Sequence, residues 1–229
     1  MFYYDYYSLV LLFPVMIFSL IIQLILNNTY SKYAKISNTR GTTGADIARM
    51  ILMRAGVNGV SIELTAGKLS DHFDPTKNVI RLSQAVYNGT SISAIGVAAH
   101  ETGHALQYAF GYSPMKLRSS VVGITNFSSK ILYFVILLSV FSGFSFLCDI
   151  AVICFLVIFL FQVITLPVEF NASKRAIACI KEMGYSTSDV GGVKKVLFAA
   201  AMTYVAAMLT AFAQLLSFFL RTRDRRDNG

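Results

Sequence analysis

Long apolar runs alternate with mixed stretches along this chain, and the two kinds of segment predict different elements. Ser8 to Leu26 is almost continuously apolar, long enough to cross ~30 Å of hydrocarbon at 1.5 Å per residue. Asp5 and a tyrosine cluster precede it and NNTYSKY follows, so it reads as an uncleaved anchor, not a signal peptide with a basic start. From Asn27 to about Ser129 the pattern becomes mixed. Ile47, Ile51 and Leu52 recur at helical spacing within Thr42–Ala55, with Asp46 near the start and Gly56 as the stop. Val60–Leu64 and Asn78–Ser83 alternate as short strands do, and the intervening Asp71–Asn78 stretch carries turn chemistry. Ser91 is placed to cap a helix from Ile92 to about Tyr108, with Gly111 beyond its end.

The second apolar stretch, Ile131 to Leu166, has 36 residues and is too long for one crossing. A break near Ser142-Gly143 or Cys148-Asp149 makes it a hairpin of two. Pro167 is expected to close the second crossing, after which Val168–Met183 continues as a polar-faced helix ended by Gly184. A last run, Val196–Leu220, precedes a tail with Arg221, Arg223, Arg225 and Arg226.

Composition sharpens this picture. Of 229 residues, 55% are hydrophobic and mean hydropathy is +0.59, an excess concentrated in the runs. The net charge of +8 fits a nucleic-acid binder or a membrane protein with basic loops. The basic residues flank apolar segments without an aromatic-interleaved patch, so the lipid bilayer is the expected partner and nucleic acid is not. Cys148, Cys154 and Cys179 form no C-x-x-C pair and read as small buried apolar residues.

The chemistry concentrates in GVAAHETGHALQ, residues 96–107. His100 and His104 are four apart, so on a helix both imidazoles leave the same face and can take two corners of a tetrahedral zinc site. Glu101 sits about 100° further round the helix. From there it can take a proton from a zinc-bound water without ligating the metal. Gly103 is costly inside a helix, by about 1 kcal/mol against Ala, which points to a close approach by another backbone or by substrate. Catalytic zinc usually has a third protein ligand, and His72 and Glu169 are the candidates. Glu169 follows an apolar crossing directly, where an acid needs a partner such as a cation. His72 sits in a turn and reads as a surface or supporting residue.

GVAAHETGHALQ followed by VEFNASKRA resembles the gluzincin metallopeptidases, and the membrane arrangement is similar to the HtpX and prenyl-protease group. The nearer likeness is to the YugP-like neutral zinc metallopeptidases of bacteria, carried also by RGTTGADIARMIL, DHFDP, NVIRLS, GYSPMKLRS and AMTYVAAMLTA. The resemblance implies one Zn2+ held by His100, His104 and Glu169, with Glu101 as general base. Many gluzincins carry an acid four residues after the ligand glutamate to hold a histidine ring. Ser173 stands there, leaving Asn171 and Ser173 as candidates for that role.

The expected protein is a mainly α integral membrane protein, with about four apolar helices and a small α+β zincin-like catalytic domain. Its segments are an anchor (1–30), the catalytic region (31–129), a transmembrane hairpin (130–167), a helix carrying the third ligand (168–195), and an apolar helix with a basic tail (196–229). An even number of crossings must separate His104 from Glu169, which the hairpin supplies. Lys32, Lys35, Arg40, Lys116, Arg118 and Lys130 flank the catalytic region, so it should face the cytoplasm of a bacterial inner or plasma membrane. The basic tail runs against that rule if the last helix crosses. The expected activity is hydrolysis of peptide bonds in a peptide or protein substrate, with NVIRLS as a sheet edge for strand addition. The alternative is a non-catalytic membrane protein whose zinc site is closed by a fourth ligand, His72 or a nearby Asp. Oligomeric state is not legible.

Overall fold

The computed structural model describes residues 6–67, 69–142 and 144–227. Residues 1–5 and Gly143, which entered the readings of the anchor and of the hairpin turn, lie outside them. The chain is mainly α: α1 (Tyr6–Tyr33), α2 (Gly44–Arg54), β1 (Ser61–Thr65), β2 (His72–Asp74), β3 (Val79–Ser83), α3 (Gln84–Tyr87), α4 (Ile92–Ala109), α5 (Ser113–Ser142), α6 (Ser145–Glu182) and α7 (Thr187–Asp227). Among the described residues, four segments are long and apolar enough to cross a membrane: Leu9–Tyr33, Ser113–Ser139, Phe146–Glu182 and Thr187–Arg223. Together with the small sheet they give an integral membrane protein of the expected class.

Two compact units share these helices. One comprises Met1–Ile22, Leu117–Leu166 and Thr203–Gly229, and the other Gln23–Lys116 and Pro167–Met202. Within the first, Val135, Leu147 and Ala151 form a small buried cluster, and Ser19 Oγ meets Thr210 Oγ1 at 3.4 Å. Most side chains of α1 in this unit stay exposed, among them Leu9, Phe13 and Leu20. Apolar groups in that number find their partner in lipid.

The second unit holds the sheet and the main core. Its strand order is β1-β3-β2, with β1 parallel and β2 antiparallel to β3. Ile80 and Leu82 of β3 are fully buried against Ile47 and Ile51 of α2 and Ile95 of α4. The α2 start is a capping box: Thr43 Oγ1 accepts from the Asp46 N–H, and Asp46 Oδ2 accepts from the Thr43 N–H. Ser91 caps α4 by accepting from the Ala94 N–H at 3.1 Å. Each lies where the sequence placed a helix start.

Four features differ from the sequence reading. The Asp71–Asn78 stretch is not all turn, because His72–Asp74 forms β2 with only Phe73 facing inward. Three residues are too few for alternation to show. NVIRLS is the central strand, so both its edges are already paired and it offers no edge to a substrate. Pro167 does not end a helix; α6 runs through it for 38 residues. Proline removes one backbone bond, yet the helix continues, with Thr165 and Val168 beside it both buried. Finally, α5 and α7 begin at Ser113 and Thr187, well before their apolar runs, because polar first turns carry no hydrophobic period.

Ile47→Ala should lower stability by about 2–5 kcal/mol, the usual result of truncating a fully buried aliphatic side chain. Met53→Ala, exposed on the same helix, should change it little. Thermal unfolding of the detergent-solubilised chain gives the comparison, and equal midpoints for the two variants contradict this core.

Candidate metal centre

Two helices build the site. His100, Glu101 and His104 project from α4, and Glu169 and Ser173 from α6 one turn apart. What lets the helices meet is Gly103: a Cβ there would lie 2.7 Å from the Ala172 carbonyl oxygen. The cost of glycine inside α4 is thus offset by an approach of backbones, one of the two explanations the sequence offered.

The approach brings three donors together. His100 Nε2 lies 3.2 Å and His104 Nε2 3.5 Å from Glu169 Oε2, and the two imidazole rings stand edge-on with centroids 4.7 Å apart. Donors about 2.0–2.1 Å from a tetrahedral zinc are roughly 3.3 Å apart, so the spacing fits. Among the described residues His100, His104 and Glu169 are the group of His, Cys, Asp and Glu arranged to hold a metal ion. Glu169 is 1% exposed, and a carboxylate so buried requires a cation.

Hydrogen bonds behind the imidazoles settle how they are presented. Gln107 Nε2 donates to the Val168 carbonyl at 2.7 Å and to Asn171 Oδ1 at 3.1 Å. Its Oε1 is therefore left to accept, and His104 Nδ1 is 3.0 Å away. With the proton on Nδ1, His104 turns the lone pair of Nε2 toward the Glu169 carboxylate. Lone pair facing lone pair is repulsive unless a proton or a metal ion sits between them. Burial alone would lower the His104 pKa, but the Glu169 carboxylate and the Glu101 charge outweigh it and the net direction is upward. Ser173 Oγ meets His100 Nδ1 at 3.2 Å, in the role left open between Asn171 and Ser173. Asn171 supports Gln107 and accepts from Arg175 Nε at 2.8 Å.

Glu101 is held from the sheet. The Phe73 N–H donates to its Oε2 at 3.1 Å. Phe73 belongs to an edge strand and turns this N–H away from β3, so the contact takes nothing from the ladder. Burial pushes the Glu101 carboxyl above the usual range, while His100 and His104 pull it partly back. His72 is not at the site: its exposed ring places Nδ1 2.7 Å from the Ser70 carbonyl and Nε2 3.4 Å from Arg81. Asp71 accepts from the Ser83 N–H at 2.7 Å and from its hydroxyl. Two supporting contacts escaped the sequence reading. Gln107 was legible, being three residues after His104 and so on the same helix face. The Phe73 amide was not, since a backbone group carries no residue signal.

Residues 8–223 match the family described as "Putative neutral zinc metallopeptidase", and the chain belongs to that family. It is 45% identical over 201 residues to "Putative membrane protease YugP" of Bacillus subtilis (strain 168), covering 86% of this chain and 89% of that one. No solved structure matches. Family and relative together support a protease role and a place in the membrane.

Gly103→Ala should force α4 and α6 apart, costing about 1–3 kcal/mol as overpacking does and lowering zinc content. Gln107→Leu should leave the fold intact but weaken zinc about 10–100-fold, read by titration against a competing chelator. Unchanged zinc affinity in the leucine variant is incompatible with the role given to this amide.

Proposed function

We propose that this protein is a membrane-embedded zinc endopeptidase in which His100, His104 and Glu169 hold one Zn2+ and Glu101 is the general base. The observation that carries the reading is the convergence of three donors, His104 and Glu169 buried and His100 partly so, with both imidazoles at zinc spacing from the carboxylate and a separately held carboxylate one residue from the first of them. When bound, Zn2+ supplies Lewis acidity to water and to a carbonyl.

The residues of the chain do the rest. Glu169, desolvated between the imidazoles, balances the ion's charge. Ser173 and Gln107 hold the rings so that both Nε2 atoms face it. Glu101 takes a proton from water as the water oxygen bonds to the peptide carbonyl carbon. It then returns that proton to the amide nitrogen as the C–N bond breaks. The Phe73 N–H keeps the Glu101 carboxylate turned toward this position. Basic residues flanking the site unit, Lys32, Lys35, Lys116 and Arg118, favour a cytoplasmic orientation.

Three protein donors leave a position for water, whereas a structural site would be closed by a fourth. Asp71, the nearby acid that might have closed it, is engaged with Ser83, and His72 faces Arg81.

Glu101→Gln should retain about one zinc per chain while peptide cleavage falls 10²–10⁴-fold, the range for loss of a general base. Glu169→Gln should lose both zinc and cleavage. Metal analysis beside a peptidase assay in detergent separates these outcomes. Cleavage by Glu101→Gln at the wild-type rate would falsify the assignment.

A further inference from the structure

A cavity of about 210 Å³ opens between α6 and α7, on the far side of His100 from the donor cluster. Its link to the site is Ser173, which lines the cavity and meets the Nδ1 side of His100, whereas Nε2 faces Glu169. Phe170, Ile177, Leu197 and Phe198 make the wall apolar, and Lys174 and Lys194 stand at it. Both lysines are exposed, and neither has an ion-pair partner among the described residues.

The two helices repeat one arrangement. On α6, Lys174 follows Phe170 by one turn; on α7, Lys194 precedes Phe198 by one turn. A short turn, Met183–Ser186, joins the helices, so each phenylalanine lies toward the apolar run of its helix and each lysine toward the polar end. Leu166 closes the apolar run of α6. At 1.5 Å per residue Phe170 is ~6 Å and Lys174 ~12 Å beyond it. The headgroup layer on each side of a bilayer is roughly 5–8 Å deep, and lysine reaches back along its own stem. Phe170 thus lies within the headgroup layer, and the Lys174 ammonium comes to that height by reaching back; aromatic rings beside two unpaired ammonium groups are complementary to one amphiphile with a negative head.

We infer that this groove is a binding site for an anionic phospholipid, its phosphate between Lys174 and Lys194 and the upper part of an acyl chain against Phe170, Leu197 and Phe198. The cavity is too small for a whole lipid and grips only the segment nearest the head. Its chemistry does not depend on the metal or on peptidase activity.

The experiment uses the full chain in detergent, with phosphatidylglycerol and phosphatidylcholine of identical acyl chains, and counts retained lipid by native mass spectrometry. The wild type should retain phosphatidylglycerol over phosphatidylcholine by on the order of tenfold, as two lysines near a headgroup allow. The exposed double substitution Lys174→Gln with Lys194→Gln should abolish that preference. Lys35→Gln with Lys77→Gln, which removes the same charge elsewhere, should keep it, and Phe198→Gln should weaken retention of both lipids. The inference is overturned if the first double variant keeps the preference or if the second loses it equally. It is also overturned if glycerol phosphate, or an acidic peptide without an acyl chain, displaces phosphatidylglycerol at matching concentration.

Discussion

The contact on which the rest depends is the crossing of α4 and α6 at Gly103 and Ala172. Neither helix carries a complete site. The α4 motif supplies two imidazoles and a carboxylate, and the α6 turn supplies Glu169 and Ser173. They can converge only if the backbones come closer than any Cβ at position 103 allows. A glycine that weakens its own helix by about 1 kcal/mol therefore fixes the one geometry in which a buried acid finds partners. The same crossing sets the supporting contacts, since Gln107 lies one turn beyond Gly103 and reaches Val168 and Asn171 across it.

Much of this was legible, because the signals were local. The His100–His104 spacing needs only a helix to become a shared face, and Ser91 marks where that helix starts. The long apolar runs announce themselves by length. Glu169 was legible by a different route, as an acid placed where an acid is expensive. What escaped depends on partners distant in sequence. β2 is too short to show alternation, and its strand identity comes from pairing with Val79–Arg81. The central place of β3 is a matter of strand order, and the five-residue pattern VIRLS reads alike at an edge or in the middle.

Pro167 misleads for a physical reason that bears on the site. As a rule a proline marks a probable helix end because it removes a donor and crowds the preceding turn. In α6 the helix continues through the proline, with Val168 packed in the core just beyond it. Glu169 stands two residues beyond the proline on the same helix, so its backbone is helical and not that of a loop. A ligand placed on a loop at the same point would have had freedom that the crossing with α4 could not remove.

The groups behind the imidazoles are neutral, and this shapes the electrostatics of the site. A carboxylate behind His100 would add a second buried negative charge near Glu169 and Glu101, in a region where Glu101 is already hard to ionise. Ser173 orients the ring without that charge, and Gln107 does the same for His104 while tying its own amide to a backbone carbonyl. With the proposed divalent ion bound and Glu169 and Glu101 ionised, two positive and two negative charges would meet in the site. The arrangement closes on neutrality, the condition under which a buried cluster of charges is least costly. A charged group behind either histidine would break that balance, so the neutral shell and the single ligand carboxylate belong to one electrostatic solution.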